Sequence, residues 1–210
     1  MKVLLVNGSP HQHGCTDRAL REIKTQLEKE GVDADIFWIE NDPIRGCVAC
    51  NMCLKKKKCI FDDVVNQFSN IAKFYDGFVF GAPTYYASSA GQMSAFMDRV
   101  FYSNMNAGSE IFAHKPVASV VSCRRAGDVA ALDQMNKYYG LANMFIVCST
   151  YWNEVHGFKP EHVEQDAEGL QTMRNLARNM AWFLKSVAAA KKAGVKEPEI
   201  EKGTYTHFIR

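Results

Sequence analysis

Cys47, Cys50, Cys53 and Cys59 are spaced C-x2-C-x2-C-x5-C. Overlapping two-residue spacings gather three thiolates around a small volume, as a cuboidal iron–sulfur cluster requires. Structural zinc usually takes one such knuckle and a distant second pair, so zinc ranks second. Four reduced cysteines packing a loop is the third reading. The adjoining run Lys55-Lys56-Lys57-Lys58 could offset the charge of a thiolate-bound cluster or attract an anionic partner. Such runs are more often solvated loop.

A second stretch with chemistry lies at the start of the chain. Residues 2–6 form a short apolar run that reads as a buried strand. The loop that follows carries Ser9, Pro10, His11, His13, Gly14, Cys15 and Thr16, and a helix then places Leu20, Ile23 and Leu27 on one face. Strand, polar loop and helix together point backbone N–H groups and a helix N-terminus at a phosphate. A nucleoside-triphosphate loop is excluded because five residues separate Gly8 from Gly14 and Cys15 stands where lysine is needed. The dinucleotide fingerprint is absent too. What remains suits a monophosphate held by neutral donors, or a polar turn with Thr16 or Asp17 as N-cap.

The elements that must position these residues alternate along the chain. Strands are expected at 2–6, 34–39, 77–81, 117–121 and 144–148. Helices are expected after each, the last over 165–192, with Asp62 and Asp63 opening the one that carries Val65 and Phe68. This pattern predicts an α/β fold with a doubly wound parallel sheet. In such sheets ligands bind at the carboxyl ends of the strands, near the topological switch point. With strand order 2-1-3-4-5, three loops meet there. The second contains Pro83, Thr84, Tyr85 and Tyr86, suited to a flat heteroaromatic. The third contains Ser122, Arg124, Arg125 and Gly127, able to close over a ligand, although two solvated arginines is the plainer reading. Cys123 and Cys148 are expected to be buried packing residues.

At 210 residues the chain fits one domain, placed at 1–194 with the cysteine loop inserted at 45–60 and a tail at 195–210. The aromatic end of that tail suggests docking on the domain or on a partner subunit. A net charge of +2 gives no reason to expect nucleic acid or membrane as partner. No apolar run approaches the ~20 residues of a membrane span. Residue 2 leads directly into a strand, so a cytoplasmic location is expected, and there clustered cysteines favour a cofactor over disulfides.

Taken together, Asn7-Gly8-Ser9-Pro10 with Gly14-Cys15-Thr16, then Gly81-Ala82-Pro83-Thr84-Tyr85-Tyr86, then Phe96-Met97-Asp98-Arg99, resemble the NADPH-dependent FMN reductase family. The resemblance runs over roughly residues 1–148. It implies a flavodoxin-like fold: five parallel strands in the order 2-1-3-4-5, with helices on both faces. It further implies FMN as cofactor, with Ser9, Pro10, His11, Gly14, Cys15 and Thr16 on the phosphate side. Pro83, Thr84, Tyr85 and Tyr86 would lie on the flavin side, and Ser122, Arg124 and Gly127 on the third loop. Most relatives carry Asn where this chain has Cys15. The family's iron–sulfur flavoprotein branch has a compact motif after strand 2 that ligates a [4Fe–4S] cluster, matching Cys47, Cys50, Cys53 and Cys59.

The resemblance implies a flavin-dependent oxidoreductase that takes a hydride from NAD(P)H and passes electrons to a small-molecule or protein acceptor. No catalytic side chain is required, since the flavin carries the chemistry. The alternative is a non-enzymatic iron–sulfur flavoprotein electron carrier or redox sensor reduced by ferredoxin. A homodimer or homotetramer is implied as well.

Overall fold

The computed structural model describes residues 1–201 and 203–208. Strand β1 (Lys2–Asn7) lies at the centre of a parallel sheet, with β2 (Asp33–Trp38) on one side and β3 (Gly77–Tyr85) on the other. Next come β5 (Pro116–Cys123) and β6 (Phe145–Ile146), after a short β4 (Ser88–Ser89) that pairs antiparallel with β3. The path β2-β1-β3-β5-β6 is the expected order, the numbering shifted by β4.

Successive strand residues face opposite sides, and the core divides accordingly. Leu4, Val6, Phe78 and Phe80 pack toward α3 (Val64–Ala72), α4 (Gly91–Ala107) and α5 (Asp128–Leu141). Val3, Leu5 and Val79 pack toward α1 (Cys15–Lys29) and α7 (Ala167–Lys192). Leu20, Ile23 and Leu27 are fully buried, as their spacing requires. The phenyl ring of Phe68 sits among Phe37, Phe78, Phe80, Phe96 and Phe112, with centroids 5.3–6.4 Å away. Gly81 lets α1 approach the sheet, because a Cβ there would lie 2.9 Å from Thr16 Cγ2.

Four expectations need correction. The third strand does not stop at residue 81 but continues to Tyr85, because β4 gives its end an antiparallel partner. The fifth strand is split: β6 covers two residues beside Pro116 and Val117, and β7 (Glu154–His156) rejoins β5 beside Val121–Cys123. Cys148 is therefore past the sheet edge and exposed rather than packed, while Cys123 is buried as expected. Helix α1 is capped by Gly14, not by Thr16 or Asp17. The Thr16 hydroxyl is 2.9 Å from Ser122 Oγ, and Asp17 pairs with Arg21, which leaves neither side chain to turn back on the helix.

Two further short helices, α2 (Met52–Lys56) and α6 (Pro160–Val163), complete the fold. The described residues of the tail have no regular structure. Glu197 reaches Lys191 and His114, whereas Tyr205 and Phe208 are almost fully exposed. Ile209 and Arg210 lie outside the described residues. Among the described residues no helix is long and apolar enough to cross a membrane.

Candidate cofactor cleft and cysteine loop

The carboxyl ends of β1, β3 and β5 open into a cleft of about 620 Å³. That volume falls within the range of small-molecule sites. Ser9, His11, Gly14, Cys15 and Thr16 line one end, Pro83, Thr84 and Tyr85 the middle, and Ser122 and Arg124 the far wall. The three loops thus meet as the sequence implied.

The phosphate-side end is built from donors. Gly14 offers no side-chain cap, so the first-turn N–H groups of α1 remain directed at the cleft. The loop is fixed from within: Asn7 Oδ1 accepts from Ser9 N at 3.0 Å, and Ser9 Oγ accepts from His11 N at 3.1 Å. Trp38 Nε1 donates to Ser9 O at 2.8 Å, tying the loop to β2. Cys15 donates to Gly157 O at 3.5 Å, and burial raises its pKa, so the thiol stays neutral. An uncapped helix dipole with neutral side chains suits a phosphate monoester.

In the middle of the cleft the buried Thr84 Oγ1 has no hydrogen-bond partner in the protein. A buried hydroxyl without a partner is uncommon and marks a place where a ligand atom can satisfy it. Tyr86 and Ala87 both have positive φ (51° and 57°), giving the two-residue turn that joins β3 to β4. Such turns need left-handed residues at both positions, here without glycine. The turn carries Tyr86 fully into solvent, away from the cleft lining. Gly127 is also outside that lining: at φ 92° it packs against Ala87, whose Cα would be 2.9 Å from an added Cβ. Its contribution is to seal the third loop onto the second. Pro10 is half-buried and also outside the lining.

No periodic pattern marks the outer wall, formed by Gly157, Phe158, Lys159 and Pro160. These residues follow β7, whose three residues are too few for a periodic pattern.

The cysteine loop forms a separate pocket. Cys47, Cys50, Cys53 and Cys59 all line it, together with Phe61, Arg99 and Tyr102. Cys47 and Cys50 are exposed, Cys53 buried and Cys59 half-buried. Ala49 and Asn51, on either side of Cys50, are left-handed (φ 50° and 57°). Arg99, quoted only as part of the Phe96–Arg99 motif of the resemblance, is 1% exposed and reaches the cysteine loop. Its Nη1 and Nη2 hold both Asp63 oxygens at 2.5 and 2.9 Å, and its Nη2 donates to Cys59 Sγ at 3.2 Å. Burial opposes its charge, but Asp63 and Cys59 outweigh that and raise its pKa. The signal for that contact was a charged residue within the apolar stripe of Phe96 and Val100.

A doubly wound sheet with a loop-lined cleft at its switch point defines a flavodoxin-like protein. Its solved neighbours share that fold. They include an archaeal flavodoxin (17% identity, TM-score 0.59, covering 88% of this chain and 99% of that one). RosB, solved with 8-demethyl-8-formylriboflavin-5′-phosphate, has TM-score 0.68 at 11% identity, covering 100% of this chain and 92% of that one. The chain belongs to the NADPH-dependent FMN reductase family, whose profile matches residues 1–159. It is similar to an iron–sulfur flavoprotein of Methanocaldococcus jannaschii, at 26% identity over 89% of this chain and 99% of the relative. An iron–sulfur flavoprotein of Methanosarcina thermophila is 23% identical over 89% and 97%. Membership places the protein among flavin-dependent oxidoreductases and electron carriers.

Proposed function

We propose that the protein is an FMN-dependent oxidoreductase that takes a hydride from NAD(P)H and passes electrons onward through a [4Fe–4S] cluster in the cysteine loop. The cleft carries this reading, above all the unpartnered Thr84 hydroxyl and the uncapped N-terminus of α1 that line it. In this reading the first-turn N–H groups of α1 and the Thr16 hydroxyl hold the phosphate. Thr84 meets a polar edge of the ring system, Tyr85 flanks it, and Arg124 closes the far side or meets an anionic co-substrate. Cys47, Cys50, Cys53 and Cys59 ligate the cluster, with Arg99 balancing the charge at Cys59. When bound, FMN supplies the two-electron acceptor and the cluster a one-electron relay. Assembly as a homodimer or homotetramer in the cytoplasm belongs to the same reading.

A second reading, an electron carrier or redox sensor reduced by ferredoxin, is favoured by the four thiols sharing one pocket. Anaerobic mixing with NADH, NADPH or reduced ferredoxin separates the two. Steady oxidation of a nicotinamide nucleotide supports the oxidoreductase. Failure with both nucleotides and rapid reduction by ferredoxin supports the carrier.

A further inference from the structure

At the far wall of the cleft, which Cys123 itself lines, a second cluster of ligand-type side chains is assembled. Cys123 ends β5, Asp128 opens α5, and Glu154 and His156 are the first and last residues of β7. The parallel register pairs Cys123 directly with His156, and the two-residue period puts Glu154 and His156 on the same face. Cys123 Sγ is 3.1 Å from Asp128 Oδ2 and 3.3 Å from His156 Nδ1. His156 Nε2 is 3.6 Å from Asp128 Oδ2 and 3.8 Å from Glu154 Oε1. One ligand atom each from Cys123, Asp128 and His156 lies within 4.8 Å of the other two. Cys123 and Asp128 are buried, while the His156 side chain is 45% exposed.

We propose that Cys123, Asp128, Glu154 and His156 form a binding site for a divalent transition metal of the zinc class, distinct from the cysteine loop. One thiolate, one imidazole and two carboxylates make a four-ligand set of the types zinc takes. A second observation points to a ligand: Glu154 Oε2 is buried and has no hydrogen-bond partner. There is also an entry route. His156 and Glu154 border a pocket of about 220 Å³ lined additionally by Tyr151, Asp166, Glu168, Gly169 and Thr172, with no lysine or arginine. Carboxylates around such a mouth raise the local cation concentration. The Cys123 thiol donates to Asp128 Oδ2, and a metal ion would replace that proton as the link. Bound there, it would join β7 to the β5–α5 corner and brace the loop that carries Arg124.

The test is zinc uptake by the full chain carrying Cys47→Ser and Cys50→Ser, both exposed positions, so that the cysteine loop no longer competes. After equilibration with zinc and gel filtration, mass spectrometry should find a single Zn2+ per chain. Calorimetric affinity should fall at least about 100-fold in Cys123→Ser and in His156→Ala, beyond the roughly 10–100-fold of outer-shell changes. With cobalt instead, a thiolate-to-metal charge-transfer band should appear and vanish in Cys123→Ser. His156→Ala alters a half-exposed side chain, which keeps the test decisive if Cys123→Ser fails to fold. No retained zinc, or undiminished affinity in His156→Ala, would overturn the proposal.

Discussion

Arg99 Nη2 and Cys59 Sγ are 3.2 Å apart, and the guanidinium that makes this contact is buried and shared with Asp63. One side chain thus ties the cysteine loop to the N-terminus of α3, since Asp63 is also that helix's cap, accepting from Val65 N at 3.1 Å. Arg99 is buried but the Asp63 side chain is 32% exposed and can be solvated once the guanidinium is gone, so losing these charged hydrogen bonds costs about 1.5–3 kcal/mol rather than the full penalty of a buried pair. Arg99→Leu should lose stability of that order in urea unfolding and retain less iron after anaerobic purification. Arg99→Lys keeps the charge but not the fork that reaches Asp63 and Cys59 together, so it should recover only part of both.

Thr84→Val removes a hydroxyl that nothing in the protein satisfies. Its stability should be equal to or above that of the parent, since an unsatisfied buried polar group is costly. FMN affinity should fall roughly fivefold, as expected for one hydrogen bond of about 1 kcal/mol. Fluorescence titration of flavin-free protein measures the second effect, and thermal unfolding the first.

Gly127→Ala forces a side chain onto a backbone at φ 92° and within 2.9 Å of Ala87 Cα. Destabilisation should exceed about 1 kcal/mol, the reverse of the gain seen where alanine fits. Because Gly127 seals two loops of the cleft, flavin affinity should fall with it. Gly31→Ala, also at positive φ (75°) but with open space around it and remote from the cleft, should lose stability alone.

Glu22 is held between Arg18 at 2.9 Å and Arg174 at 2.5 Å, linking α1 to α7. Burial would raise its pKa, but the two guanidinium groups outweigh it and hold the carboxyl below its ordinary value. A depressed folded-state pKa stabilises the protein above the unfolded value of about 4.3 and is lost as pH falls through the folded value. The gap in melting temperature between parent and Glu22→Gln should therefore be full at neutral pH and close below about pH 4. A gap unchanged by acid would show that the effect is packing rather than charge.

The fold was legible because its strongest signals are periodic. The stripe of Leu20, Ile23 and Leu27 and the apolar run at 2–6 each admit one reading, and the loops between such elements could then be placed at one end of the sheet. Other features left little trace. β7 spans three residues, so Glu154 and His156 had no pattern to mark them beside Cys123. Tyr86 looked like part of the cleft because its left-handed turn is invisible without glycine. Arg99 read as a charged residue on a helix, since its partners Asp63 and Cys59 come from 36 and 40 residues away.

The most direct test of the proposed function is the visible spectrum of anaerobically purified protein, taken with iron and acid-labile sulfide analysis. Flavin bands over a broad absorption near ~400 nm, with about four irons per chain lost in Cys53→Ser, are expected. Flavin without iron would contradict the cluster and leave a simple flavin reductase. A colourless protein that also leaves added FMN unbound would contradict the cleft assignment, and with it the proposed activity.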